Sequence, residues 1–368
     1  MPKTKLHHLL DLGQSIWMDY IRREMITSGE LRDYVDRGLR GLTSNPSIFM
    51  KAITGGGAYD DDLEKLAANK GVKEIYEAIA IKDIQMAADV LRPVYEETAR
   101  ADGYVSLEVD PHLAHDAAGS IQEARSLFER VNRPNIYIKI PGTEEGIPAV
   151  KTLIAEGYNI NITLMFSLDQ YEAVAQAYLS GLEKLAERGG DLSKVTSVAS
   201  FFVSRIDVKV DDMLAELKDP KAGELNGKIG IANAKMAYQR FKQTFRGERW
   251  EKLSNRGAHL QRVLWASTST KNPNYPDTLY VDNLIGPHTV NTLPPETIEA
   301  FIDHGTVALT LEKDLDEARE VLEKLADLGI DLDEVTDELL VEGVDKFAKP
   351  FDKLLQAIEE KRERMAIK

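Results

Sequence analysis

The stretch Asn135-Ile-Tyr-Ile-Lys139-Ile-Pro-Gly142 decides the fold, because it reads as an apolar strand interrupted by one lysine. Alternate side chains of a strand face opposite sides, so the three isoleucines cover one side, and Tyr137 and Lys139 point to the other. Near-continuous apolar runs are typical of parallel strands that are buried on both faces. Burial of an ammonium group is costly and favours the neutral amine, which is the nucleophile of Schiff-base chemistry. The alternative is a lysine at a strand end that reaches solvent.

Similar β-rich runs alternate with longer amphipathic segments along the whole chain. The predicted strands are residues 15–20, 39–44, 103–109, 135–140, 158–164, 195–201, 262–267 and 288–292, with 306–311 as the rival for the eighth. The predicted helices between them include residues 75–100, 117–130, 168–188 and 203–217. This alternation indicates parallel βαβ units, and seven or eight of them predict an α/β fold, a (β/α)8 TIM barrel. The first predicted strand is not followed by a Gly-x-Gly-x-x-Gly turn, which argues against a dinucleotide-binding sheet.

We expect residues 1–368 to form a single barrel domain with additional C-terminal helices from about residue 312. Leu315, Ala318, Leu322 and Leu325 recur at helical spacing, and Gly329 suits the end of that helix. A second apolar stripe follows and is interpreted, like the first, as a packing surface. Its members are Phe347, Phe351, Leu354, Leu355 and Ile358.

Composition excludes several classes of function. The chain has no cysteine, so disulfides, thiolate catalysis and cysteine metal sites are ruled out. A net charge of −15 argues against nucleic-acid binding, although cations focused in one pocket can still bind an anionic small molecule. No signal peptide or apolar run of membrane-spanning length is evident, so we expect a cytoplasmic protein without membrane contact.

Polar side chains occur near the carboxyl ends of most predicted strands, where barrel active sites lie. They are Asp19, Asn45, Glu108, Lys139, Asn161, Thr163 and Ser200. A neutral amine attacks a carbonyl, carboxylates move protons during C–C cleavage, and amides and hydroxyls hold a polyol. The set is therefore that of a Schiff-base aldolase, and neither a cofactor nor a metal is expected.

Two cations follow the late strands and are candidates for a phosphate site. Arg205 follows the sixth strand and Lys271 follows the seventh. Barrel phosphate sites commonly lie on these loops, and an arginine fork binds phosphate bidentately. Surface salt bridges are the alternative interpretation for both residues.

Five motifs, in order along nearly the whole chain, resemble transaldolase of the longer bacterial subfamily and its class I aldolase barrel. They are Leu42-Thr-Ser-Asn-Pro-Ser47, Ser106-Leu-Glu-Val-Asp110, Ile138-Lys-Ile-Pro-Gly142, Asn159-Ile-Asn-Ile-Thr-Leu-Met-Phe-Ser167 and Ala199-Ser-Phe-Phe-Val-Ser-Arg-Ile-Asp207. The resemblance implies transfer of a dihydroxyacetone unit between sugar phosphates in the pentose phosphate pathway. The donor would be fructose 6-phosphate or sedoheptulose 7-phosphate, and the acceptor erythrose 4-phosphate or glyceraldehyde 3-phosphate.

The resemblance also implies a role for each candidate residue. Lys139 would form the Schiff base with the ketose C2, and Asp19 would take the C4 hydroxyl proton as the C3–C4 bond breaks. Glu108 and Thr163 would hold a catalytic water. Asn45, Asn161 and Ser200 would orient the dihydroxyacetone part. Phe202 would shape the pocket, and Arg205 would bind the phosphate.

The loop after the seventh strand departs from the family pattern. Many members carry an arginine there, whereas this loop reads Ser269-Thr-Lys-Asn272 and is two residues longer. Lys271 is the natural substitute as second phosphate ligand, and it lacks the bidentate fork of arginine, so weaker phosphate affinity is expected.

Four alternatives stay open. A fructose-6-phosphate aldolase shares the lysine barrel, but those relatives are much shorter. A glycosidase pair of Glu108 and Asp110 would lie only roughly 7 Å apart on one strand, and Asp110 suits a turn or helix cap better. His112 and His115 lack a matching carboxylate motif for a metal. A non-catalytic sugar-phosphate-binding barrel would keep Arg205 without needing Lys139. The sequence leaves monomer and homodimer open.

Overall fold

Eight parallel strands close into a barrel in chain order, and each neighbouring pair is hydrogen-bonded. The computed structural model describes residues 3–217 and 219–366. The strands are β1 (Gln14–Asp19), β2 (Gly41–Thr43), β3 (Tyr104–Glu108), β4 (Ile136–Pro141), β5 (Ile160–Met165), β6 (Ser197–Phe202), β7 (Arg262–Ala266) and β8 (Thr289–Leu293). The predicted (β/α)8 TIM barrel is confirmed.

The α-helices of the described chain surround this barrel. They are α1 (Lys5–Asp11), α2 (Arg23–Thr27), α3 (Glu30–Asp36), α4 (Pro46–Thr54), α5 (Asp60–Ala67), α6 (Val72–Glu97), α7 (Ala117–Val131), α8 (Gly146–Ala155), α9 (Leu168–Glu187), α10 (Ser204–Leu217), α11 (Ile229–Thr244), α12 (Gly247–Ser254), α13 (Leu279–Asn283), α14 (Pro295–His304), α15 (Leu315–Asp327) and α16 (Leu332–Ala366). Within that part of the chain, no helix combines the length and the apolar character needed to span a bilayer.

The alternation seen in the sequence sets the two sides of the barrel wall. The isoleucines of β4 are fully buried and belong to the large core between strands and helices. Tyr137 belongs to a second cluster inside the barrel, where its ring stacks on Tyr104 and Trp17 at centroid distances of 4.2 and 5.9 Å. This aromatic stack fills the barrel interior, so the positions beyond it at the carboxyl end are the ones that can open to a ligand.

The eighth strand is the segment 289–293, and it pairs in parallel with both β1 and β7. The rival segment 306–311 forms no strand in the structure and was the wrong alternative. Thr310 instead hydrogen-bonds through its amide to Ile285 O and through its hydroxyl to Asp282 O, which ties the segment to the turn before β8. The other strand predictions are confirmed with shifts of at most two residues at their ends, the largest at the starts of β2, β5 and β6.

Side-chain caps explain where three helices of the barrel begin. Asn45 accepts a hydrogen bond from the amide of Ile48, and Pro46 occupies the first turn of α4. Asp116 caps α7 through the amide of Gly119, and Ser167 caps α9 through the amide of Gln170. Asn45 is thus fixed at the point where the chain leaves β2.

The last helix, α16, packs against α4, α5, α6 and α10 and reaches β5. Phe351, Leu354 and Ile358 are buried in the large core, so this part of the predicted stripe is a packing surface. Gly343 permits a close approach, since a Cβ there would lie 3.0 Å from Leu164 Cδ2. The helix therefore runs directly beside the carboxyl ends of the strands.

Candidate active site

Lys139 lies on β4 inside the barrel, and only 5% of its surface is exposed. Its Nζ donates a hydrogen bond of 3.2 Å to the carbonyl oxygen of Ser44. The carboxylate Oε2 of Glu108 lies 3.6 Å from the same nitrogen, across the register pair that joins β3 and β4. The predicted lysine is thus buried beside an acid, rather than reaching solvent from a strand end.

Glu108 is a buried carboxyl whose proton affinity is increased by its surroundings. Burial raises its pKa to about 7, and the positive charge of Lys139 opposes part of that increase. In the described chain neither carboxylate oxygen has a hydrogen-bond partner, and the buried hydroxyl of Thr163 also has none. Since buried polar groups normally find partners, these atoms are suited to bind a small polar molecule.

Asp19 ends β1 and lines a cavity of about 260 Å³ together with Lys139. Burial raises its pKa, and the charge of Lys139 opposes that effect. Its Oδ1 accepts a hydrogen bond of 2.9 Å from Thr43, which in turn lies 2.7 Å from the hydroxyl of Thr292. A carboxyl held in this way can accept a proton from a bound hydroxyl group.

The residues predicted to bind the dihydroxyacetone part, shape the pocket and hold a catalytic water divide into two levels. Asn45, Ser200, Phe202 and Thr163 line the cavity. Asn161 lies below it, fully buried, donating to Ser106 Oγ and accepting from Ser200 Oγ at 3.1 and 2.7 Å. The Asn161 amide therefore orients the Ser200 hydroxyl from below the cavity. Glu108, like Asn161, is not part of the cavity lining.

Two cations lie in the same cavity as Lys139. Arg205 lies in the first turn of α10, and burial lowers its pKa. Lys271 also lines the cavity, and its pKa is lowered by burial and by the charge of Arg205. The half-buried Arg205 and the more exposed Lys271 repel one another in one cavity, which makes a favourable site for an anion.

The structure adds cavity residues that sequence reasoning missed. They are Thr43, Ala266, Ser267, Thr268, Ser269, Thr292, Pro294, Glu296 and Phe347. Thr43 and Thr292 carried a usable signal, since both are polar residues at strand ends. Phe347 did not, because it belongs to the stripe assigned to packing; it does pack in a buried cluster, and it also lines the cavity.

The two loop histidines have carboxylate partners. His112 contacts Asp110 and Asp352, and His115 contacts Glu145. Asp110 accepts a hydrogen bond from the amide of His112, so the predicted cap is confirmed. Among the described residues, no group of three or more histidines and acids is arranged to hold a metal ion.

The comparisons with known proteins agree with this geometry. The family described as transaldolase/fructose-6-phosphate aldolase matches residues 16–358. The chain belongs to this family. It is 51% identical to transaldolase 2 of Nostoc punctiforme and 50% identical to transaldolase of Trichodesmium erythraeum, each over 96% of this chain and 97% of the relative. It is 47% identical to transaldolase of Thermobifida fusca over the same shares. The predicted resemblance to transaldolase, an enzyme that transfers aldehyde or ketone residues, is confirmed.

Proposed function

We propose that this chain transfers a dihydroxyacetone unit from a ketose phosphate to an aldose phosphate through a Schiff base on Lys139. The observation that carries the proposal is the buried pair of Lys139 and Glu108 beside a cavity that also holds Asp19 and two cations. The donors are fructose 6-phosphate or sedoheptulose 7-phosphate, and the acceptors are glyceraldehyde 3-phosphate or erythrose 4-phosphate, as in the pentose phosphate pathway.

The first step is attack of the Lys139 amine on the C2 carbonyl carbon of the ketose. The resulting carbinolamine loses its hydroxyl as water and leaves a protonated imine. Glu108 and Thr163 hold a water molecule that carries protons to and from the departing oxygen. Their buried, unpartnered oxygens support this role, and so does the raised pKa of Glu108, since a carboxyl that titrates near neutrality exchanges protons readily.

The second step breaks the C3–C4 bond. Asp19 takes the proton of the C4 hydroxyl, the bond electrons move into the imine, and an aldose phosphate leaves while an enamine stays on Lys139. In the transfer step the enamine attacks the aldehyde carbon of the acceptor, and Asp19 returns its proton to the new hydroxyl. The raised pKa of Asp19 supports proton uptake during cleavage and proton return during transfer, because protonating this carboxylate requires less free energy than protonating an exposed aspartate.

The other residues bind and orient the substrate. Asn45 and Ser200 contact the dihydroxyacetone hydroxyls, Asn161 holds Ser200 in place, and Phe202 shapes the pocket. Arg205 and Lys271 bind the phosphate group. Their positions on the wall of one cavity support this role, since two cations that converge on one pocket attract a dianion.

The test is reductive trapping with borohydride in the presence of fructose 6-phosphate, followed by peptide mass spectrometry. A three-carbon adduct on Lys139 is the expected result. Lys139→Met should abolish it, whereas Lys235→Met should not, since Lys235 is a buried lysine outside the cavity. If fructose 6-phosphate binds to the parent enzyme but no lysine adduct forms, the mechanism is contradicted.

The same family includes fructose-6-phosphate aldolases, which release the dihydroxyacetone instead of transferring it. Release of free dihydroxyacetone from fructose 6-phosphate without an acceptor aldose separates the two activities. Slow release without an acceptor that gives way to fast formation of sedoheptulose 7-phosphate when erythrose 4-phosphate is added indicates transfer.

We further propose that the enzyme acts in the cytoplasm and without a nucleic-acid partner, as its acidic composition suggests. Monomer and homodimer both remain compatible with the described chain, and sedimentation equilibrium distinguishes them.

A further inference from the structure

Phe347, on α16, is the part of the cavity wall that comes from outside the barrel. It is 6% exposed, and its ring centroid lies 5.6 Å from Lys139 Nζ and 5.9 Å from Arg205 Cζ. Both distances are within the range of a cation–π contact. One aromatic ring therefore faces both the lysine and the arginine of the site.

Arg205 is held between two aromatic rings. Phe202, at the end of β6, lies 5.0 Å from its Cζ, and Phe347 lies 5.9 Å from the same atom. In the described chain the guanidinium forms no ion pair within 4.0 Å, and its buried Nη1 has no hydrogen-bond partner. The rings thus hold the guanidinium without using its N–H donors, which stay available for an anion.

The neighbouring turns of α16 place Phe347 at this position. Gly343, one turn earlier, lies against Leu164 and near Arg205, where a hypothetical Cβ would be 3.7 Å from Nη1. Phe351, one turn later, packs edge-on against Tyr76 at a centroid distance of 5.3 Å. The small residue lets the helix approach Arg205 closely, so that Phe347 reaches the cavity wall, whereas the Phe351 ring packs outside the cavity.

We propose that Phe347 is a positioning residue that orients Arg205 for the phosphate group of the sugar substrate. This inference rests on the proposed function and assigns a specificity role to the C-terminal helix. A guanidinium that already contacts two rings loses less conformational freedom when it binds phosphate, so a greater share of the contact energy appears as affinity.

The test compares Phe347→Leu, Phe347→Tyr and Phe351→Leu by steady-state kinetics with fructose 6-phosphate. Phe351→Leu is the matched control, because it removes a buried ring from the same helix at a site outside the cavity. Phe347→Leu should raise KM about five- to tenfold with kcat changed less than about threefold, and Phe347→Tyr should keep a parental KM, since its ring retains the π face. Phe347→Met replaces the leucine variant if that variant does not fold.

The decisive readout is a double-mutant cycle with Arg205→Gln. If Phe347 acts through Arg205, Phe347→Leu adds no further rise in KM when the guanidinium is absent. An equal rise in the Arg205→Gln background, or the same rise from Phe351→Leu, overturns the proposal. Borohydride trapping on Lys139 in the parent enzyme keeps the two claims apart. If no adduct forms there, the proposed function fails; if the adduct forms and the KM effects are additive, only the role of Phe347 fails.

Discussion

In the proposed mechanism, Glu108 accepts a proton from Lys139. Because burial raises the pKa of Glu108 to about 7, transfer of the lysine proton to this carboxylate costs less than transfer to an exposed one. The nucleophilic amine can therefore form within the pair, provided that Glu108 is ionised and can accept the proton. At a pH below this pKa the Glu108 carboxyl is already protonated, so it cannot accept the proton of Lys139.

This proton balance predicts an acidic limb in the pH profile. The kcat/KM of the parent enzyme should fall about tenfold per pH unit below about pH 7 and level off above it. Glu108→Gln should lower kcat by roughly 10²- to 10⁴-fold and remove that limb, as measured between pH 5 and 9. A limb that persists in Glu108→Gln would assign the titration to another group.

Lys271 is predicted to act on substrate binding more than on turnover. Lys271→Ala should raise the KM for sugar phosphates far more than it lowers kcat, because the phosphate lies away from the breaking bond. Lys313→Ala is the control, since Lys313 is an exposed lysine outside the cavity. An unchanged KM in Lys271→Ala would show that this lysine does not contact the phosphate.

At the scale of elements, Gln170 in the first turn of α9 clamps the ends of two strands. Its Nε2 donates to Gly142 O and Leu164 O at 2.6 and 3.0 Å, and its Oε1 accepts from the amide of Phe166 at 2.9 Å. Leu164 needs this support, because its φ of 60° is a costly backbone conformation for leucine and the register of β5 shifts at this point. The clamp thus fixes the backbone next to Thr163.

Gln170→Leu should therefore reduce both stability and turnover. The loss of three partly buried hydrogen bonds should lower the free energy of unfolding by about 1–3 kcal/mol, as measured in urea, and kcat should fall because Thr163 is less firmly placed. Gln176→Leu, on the same helix and bonded to the exposed Arg249, is the control and should change neither quantity greatly. A parental kcat in Gln170→Leu would show that the clamp serves stability alone.

The sequence predicted the elements whose neighbours are local and missed those that depend on distant contacts. Lys139, Glu108, Asp19 and Thr163 could be placed because period-two alternation fixes the side of the strand on which each one lies. Phe347 could not, since nothing within α16 distinguishes a ring that faces Arg205 from Phe351, which faces the core. The choice of the eighth strand also depended on pairing with β1, which is nearly the whole chain away.

At the scale of the whole molecule, stability and chemistry are concentrated at opposite ends of the barrel. Asp102, just before β3, accepts hydrogen bonds from Ser15 and Trp17 of β1 and from Arg262 of β7. This buried carboxylate joins three strands at the amino-terminal end, whereas the cavity lies at the carboxyl end. Changes at Asp102 should consequently affect unfolding more than catalysis.

Asp102→Asn should lower the free energy of unfolding by about 3–5 kcal/mol, because Arg262 keeps its charge and loses its partner. The kcat of the folded variant at 25 °C should stay within about threefold of the parent value. Urea unfolding and initial-rate assays on the same preparation provide the two measurements. A large loss of kcat without loss of stability would show that the two ends are coupled.

The assignment of residues 1–368 to one domain stays a prediction, and a single cooperative transition in these experiments would support it.

The position of Phe347 after all eight strands has a consequence for synthesis. All eight strands lie within residues 14–293, so the barrel can close on the ribosome before α16 has emerged. A nascent chain at that stage has Lys139 and Glu108 in place but lacks the ring over Arg205. Tight binding of sugar phosphate should therefore develop only after α16 has been synthesised. A chain stalled before residue 332 should fold its barrel but bind sugar phosphate weakly.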